Sequence, residues 1–138
     1  MTGPDTDYSS DSNPHKGNRG FTRAWQAGKN SWSGLVFAVR EESAFRQELT
    51  LTACLIPLAL LLPFDAVERL MLIASAVLVL IVELVNSSIE AAIDRISFEH
   101  HGLSKRAKDY GSAAVMLALL TCAMVWITLL CRLLVAGW

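Results

Sequence analysis

Residues 70–94 read LMLIASAVLVLIVELVNSSIEAAID, and this stretch decides the fold. Leu70 to Val82 is an unbroken run of thirteen apolar or small residues. Glu83 then enters without any break in the helical pattern, and Glu90 and Asp94 follow. At about 100° per residue, Glu83, Asn86, Ser87, Glu90 and Asp94 fall within about 60° of one line on a helix face. Glu83 and Glu90 are two turns apart, roughly 10 Å along the axis. An ionised carboxylate at membrane depth is costly unless it is paired or meets water, so these acids are candidates for function.

The rest of the chain agrees with lipid as the solvent. Of its 138 residues 53% are hydrophobic and only 18% are charged, with a mean hydropathy of +0.40. A soluble domain this small would leave much of that apolar surface exposed in patches. Gly111 to Cys131 holds twenty-one uncharged residues, enough for a span. Glu48 and Asp65 bracket sixteen uncharged residues. That is short for a hydrocarbon core of roughly 30 Å, so the flanks must add turns. Pro57 lies inside this span, and Pro63-Phe64-Asp65 reads as a turn.

Charge sets the topology. Ten of the twelve Lys and Arg lie either before Glu48 or between Arg95 and Lys108. The positive-inside rule puts the N-terminal region and the 95–109 loop in the cytoplasm, and the C-terminus on the opposite side. The expected fold is all-α: an integral membrane protein with an N-terminal amphipathic surface helix and three transmembrane helices. The expected bounds are a disordered tail over 1–19, a surface helix over 20–48, spans at about 49–64, 66–94 and 110–134, and a cytoplasmic loop over 95–109.

Several smaller readings complete the frame. Phe21, Trp25, Trp32, Leu35, Val36, Val39 and Phe45 recur at mostly three- and four-residue steps among basic residues, as in a helix lying at headgroup depth. Gly28 and Gly34 are expected to break that helix in two. Residues 1–19 are polar without an apolar run, so no signal peptide is expected there and the mature helices are expected to drive insertion. Cys54, Cys122 and Cys131 sit in apolar runs without a CxxC pair and read as packing residues. The net charge of −1 gives no reason to expect nucleic acid. No P-loop and no GxGxxG occurs, so no soluble nucleotide-binding signature is present.

Carboxylates in a row suit Mg²⁺, held by one or two of them together with substrate phosphates. A carboxylate at the interface can also act as general base on a hydroxyl. A proton relay in a small transporter is the rival use. Lys105, Arg106, Lys108 and Asp109 cluster before the third span, where cations can meet phosphate oxygens and Asp109 and Ser112 are expected near a helix N-terminus. Glu42 and Arg46 read as an i, i+4 surface pair. Glu99, His100 and His101 have no zinc-ligand spacing.

Three stretches then make the chain recognisable: Glu42-Ser-Ala-Phe-Arg-Gln-Glu48, Glu83-Leu-Val-Asn-Ser-Ser-Ile-Glu-Ala-Ala-Ile-Asp94 and Ala107-Lys-Asp-Tyr-Gly-Ser-Ala-Ala-Val115. In order and spacing they resemble the small prokaryotic diacylglycerol kinases, and Gly20-Phe-Thr-Arg23 and Ser31-Trp32 resemble that family's surface helix. The resemblance covers about Gly20 to the C-terminus. It implies ATP-dependent phosphorylation of diacylglycerol to phosphatidic acid, by a homotrimer with shared active sites in the bacterial cytoplasmic membrane. It further implies Glu83 as general base, Glu42 and Glu90 as Mg²⁺ ligands, and Lys108 on phosphate. Asn86, Asp94 and Asp109 would support the site. Arg23, Asn30, Glu99, His100 and His101 would line the nucleotide beside Glu42, Glu90, Lys108 and Asp109. Arg23, Ser31, Trp32 and Phe45 would meet the lipid, as would Arg46, Gln47 and Glu48 near Glu83. Asn30 stands where the family often has an aromatic residue, and Ser88 replaces a common Ala. Undecaprenol is the alternative substrate, since related small kinases use it.

Overall fold

A computed structural model describes residues 20–96 and 102–136. The expected tail over 1–19 lies outside the described residues, and so do Glu99, His100 and His101. The chain divides after Leu35 into two compact units. Among the described residues all regular structure is helical: α1 Phe21–Glu41, α2 Ser43–Leu61, α3 Ala66–Ile96 and α4 Gly102–Ala136. Helices α2, α3 and α4 are long and apolar enough to cross a membrane.

Two expectations about the helices are corrected. The chain stays helical through Gly28 and Gly34 and breaks instead at Glu42, whose backbone is extended at φ −98° and ψ 111°. A helical Gly costs only about 1 kcal/mol relative to Ala, which one amphipathic helix can absorb. At the break Arg46 reaches back from α2, and its Nη1 donates to the carbonyls of Val39 at 3.3 Å and Arg40 at 2.9 Å. Those are orphan carbonyls at the end of α1, where a cation is also favoured by the helix dipole. The anticipated Glu42–Arg46 surface pair therefore does not form: Glu42 is the N-cap of α2 and its carbonyl accepts from the Arg46 N–H, but the Arg46 guanidinium is turned to the α1 carbonyls.

The second correction concerns residues 102–109, expected as loop and found as the first turns of α4. Charged residues are good helix formers, and here they are linked one turn apart. Lys105 pairs with Asp109 at 2.9 Å, and Arg106 donates to the Tyr110 hydroxyl at 3.1 Å. Apolarity marks where a span ends, not where its helix ends.

Helix α3 is central and packs against both α2 and α4. Its core residues Leu72, Ala76 and Val79 meet Ala59 and Phe64 on one side and Ala118, Cys122 and Trp126 on the other. The turn at 62–65 falls as expected. Asp65 then starts α3 with a capping box: its Oδ1 accepts from the backbone N–H of Val67 and of Glu68, both at 2.9 Å, while Glu68 Oε2 accepts from the N–H of Asp65 at 3.1 Å. Glu68 also pairs with Arg132 of α4, and Arg69 donates to the carbonyls of Ala59 and Phe64. This end of the bundle is thus fastened by polar contacts while the middle is held by apolar packing.

Most of the apolar surface of the spans remains uncovered. The fraction buried is 17% for α2, 33% for α3 and 17% for α4 over their most apolar windows. In water this would be ruinous, but lipid tails are as apolar as Leu. Between α2 and α4 an apolar cavity of about 550 Å³ is lined by Leu51, Leu55, Leu58, Met116 and Trp126 among others.

Candidate functional site

The stripe on α3 forms as the helical phase predicts, and its burial grades along the axis. Glu83 is 4% exposed and Asn86 8%, Ser87 and Glu90 are half-buried, and Asp94 is exposed. Opposite them Val85 and Ala92 are exposed. Burying a carboxylate opposes folding unless it is paired or hydrogen-bonded, so a carboxylate kept in such a place is a candidate for function.

Glu83 has company. The carboxylates of Glu48, Glu90 and Glu42 all lie close enough to act on its charge. Glu48 enters from the second turn of α2, above the fully buried ring of Phe45, which pins that end of the helix. Its Oε2 is buried without a hydrogen-bond partner among the described residues. Glu42 stands at the corner between α1 and α2, and its side chain makes no cap bond to α2. Its carboxylate is therefore available to another partner. The sequence could list these four acids, but only the packing of α2 on α3 brings them together.

Helix α4 supplies the cation. Lys108 Nζ lies 2.6 Å from Asp94 Oδ1 and within electrostatic reach of Glu90. Asp109 is held by Lys105 one turn earlier. Because α4 starts at Gly102, Asp109 and Ser112 lie in its second and third turns. The helix N-terminus argued for them does not exist at that place, and Lys108 carries the positive charge instead.

Along α3, Asn86 Nδ2 donates to Glu90 Oε1 one turn on, at 3.1 Å. The other atom of that amide, Oδ1, is buried without a donor and faces buried Gly111 of α4. Gly111 was not singled out from the sequence beyond its place in the Ala107–Val115 motif. Its only signal there is the small-residue run of which it is part, the kind that lets helix backbones approach closely.

The remaining residues fall in two groups. Arg46 is occupied by the α1 carbonyls, and Gln47 is exposed. Arg23, Asn30, Ser31 and Trp32 belong to the first unit. There Asn30 Oδ1 accepts from Gln26 at 3.2 Å, Ser31 Oγ donates to the Ala27 carbonyl at 3.0 Å, and Trp32 is 70% exposed. Lys29 lies over the Trp25 ring, 5.8 Å from its centroid.

Among the described residues, no three His, Cys, Asp or Glu converge as a metal cage. Hard oxygen donors that stop short of a cage fit Mg²⁺, which keeps several waters and takes further ligands from phosphates. Chemically the arrangement offers a buried carboxylate for a proton, two more for a hard cation, and an ammonium for an anionic oxygen.

The comparisons with known proteins are consistent along the chain. Residues 29–130 match the family model described as prokaryotic diacylglycerol kinase. The chain is 49% identical over 111 residues to a diacylglycerol kinase of Escherichia coli (strain K12), covering 80% of this chain and 91% of that protein. It is 49% identical over 117 residues to one of Pseudomonas aeruginosa, covering 85% and 95%. A diacylglycerol kinase of Helicobacter pylori is 44% identical over 108 residues, covering 78% and 84%.

Proposed function

The chain belongs to the prokaryotic diacylglycerol kinase family, and on that footing we propose how its own side chains divide the reaction. It is a multi-pass bacterial membrane enzyme that transfers a phosphoryl group from ATP to the hydroxyl of diacylglycerol, giving phosphatidic acid and ADP. The observation that carries the assignment of roles is Glu83, 4% exposed on the same face as Asn86 and Glu90.

In this reading the lipid stays in the bilayer and presents its hydroxyl to Glu83. The hydroxyl oxygen bonds to the terminal phosphorus of ATP, the bond from that phosphorus to the bridging oxygen breaks, and the hydroxyl proton passes to Glu83. Positioning and charge neutralisation do most of the work in such a transfer, so no nucleotide-binding fold is needed. Glu42 and Glu90 are the carboxylates that would hold Mg²⁺, which when bound supplies positive charge to the phosphates. Lys108, kept in place by Asp94, takes a phosphate oxygen. Asn86 holds Glu90 from the side. The resemblance to the family assigns Asp109, and with it Glu99, His100 and His101, to the nucleotide; it assigns Arg23 and Asn30 of the first unit the same kind of contact. The resemblance assigns the 45–48 segment to the lipid and, within the first unit, Ser31 and Trp32.

We assign the N-terminus and the α3–α4 connection to the cytoplasm, where ATP is, on the distribution of Lys and Arg. The resemblance to the family implies a homotrimer with sites shared between neighbours, and the uncovered faces of the three spans leave room for such neighbours. The deciding experiment incubates the purified protein with labelled ATP and, separately, diacylglycerol and a long-chain polyprenol. Label is expected in the diacylglycerol product. Label in the polyprenol alone would overturn the substrate assignment.

A further inference from the structure

Gly111 is a residue to which no role has been given, yet it is buried against the amide that orients Glu90. We infer that Gly111 is a positioning residue of the kinase site: its lack of a side chain leaves the space that the Asn86 amide occupies while donating to Glu90.

Three observations combine. A Cβ placed on Gly111 would collide with Asn86 Oδ1 and stand 3.2 Å from Asn86 Cγ, so the amide could not keep its place. Among the described helical glycines, Gly28, Gly34 and Gly102 would meet nothing within 4 Å, so this crowding belongs to Gly111. Asn86 is 8% exposed and its Nδ2 lies 3.1 Å from Glu90 Oε1, so an amide displaced by that Cβ would have to shift within a buried site and strain or release its bond to Glu90. A side chain on Gly111 therefore acts on Glu90 through Asn86, at second hand. Partners that orient a metal's carboxylate ligands typically change its affinity on the order of tenfold to a hundredfold when lost.

The inference rests on the reading of Glu90 as a Mg²⁺ ligand, and the test separates the two. Binding of Mn²⁺ in the presence of a non-hydrolysable ATP analogue is measured by the electron spin resonance of the free ion. The proteins are the full chain, Gly111→Ala, Asn86→Ala, the double variant and Glu90→Gln, with turnover recorded alongside. Gly111→Ala is expected to weaken Mn²⁺ binding about tenfold, as Asn86→Ala does, and the double variant to be no weaker than Asn86→Ala. With the amide gone an added methyl has room, so the double variant reports even if Gly111→Ala fails to fold. A double variant weaker than Asn86→Ala by a further tenfold overturns the inference, since Gly111 would then act on packing alone. If Glu90→Gln binds Mn²⁺ normally, the metal role of Glu90 fails. The coupling of Gly111 to Asn86 is then judged by the same cycle in turnover, where additive losses overturn it.

Discussion

Lys108 Nζ sits 2.6 Å from Asp94 Oδ1, a bond that joins α4 to α3 across fourteen residues of sequence. Both side chains are substantially exposed, at 38% and 50%. Pairs this wet contribute little to stability, so the value of the bond lies in where it holds the ammonium. Asp94→Asn is expected to raise the KM for ATP several-fold while the melting temperature in detergent hardly moves. A large loss of melting temperature with unchanged KM would show the pair to be structural.

Glu83→Gln removes the proton acceptor without changing shape. Turnover should fall by roughly 10²–10⁴-fold, the range for a general base, while binding of the metal–nucleotide analogue persists. The melting temperature should not drop, because a buried carboxylate among other carboxylates opposes folding. Near-normal turnover in this variant would remove Glu83 from the mechanism.

Glu48 has a buried oxygen without a partner beside that same carboxylate. Glu48→Gln lightens the crowding of negative charge and should raise the melting temperature. If Glu48 meets the lipid, the same variant should raise the KM for diacylglycerol and leave that for ATP alone. Steady-state kinetics in mixed micelles with each substrate varied in turn would distinguish the two.

The far end of the bundle offers a control. Asp65→Ala deletes the oxygen that caps α3 and should destabilise the protein by about 1 kcal/mol. The kinetic constants should stay at their normal values below the melting transition, since the cap lies at the opposite end of α3 from Asp94. Thermal unfolding and initial rates on one preparation test both halves of this statement.

Much of this was legible in the sequence, for identifiable reasons. The stripe of Glu83, Asn86, Glu90 and Asp94 follows from helical phase alone, and the three spans from run length. The break in the surface helix was not, because Gly28 and Gly34 carry a small local penalty that the helix overrides, whereas the true break at Glu42 has no breaker residue to announce it. The start of α4 was misplaced for a related reason: charge marks the edge of the lipid, and helices do not stop there. The approach of Gly111 to Asn86 joins residues of different helices, and nothing local encodes it. Resemblance supplied the role of Glu42, and packing placed its charge near Glu83.

That corner at Glu42 has an arithmetic consequence. A single extended residue separates α1 from α2, so there is no slack to absorb a change in length. Inserting or deleting one residue there would move the Glu42 carboxylate from its place at the start of α2 and so away from Glu83 and Glu90. The joint therefore acts as an indexed coupling: substitutions beside it are expected to be tolerated far more readily than any shift in its residue count.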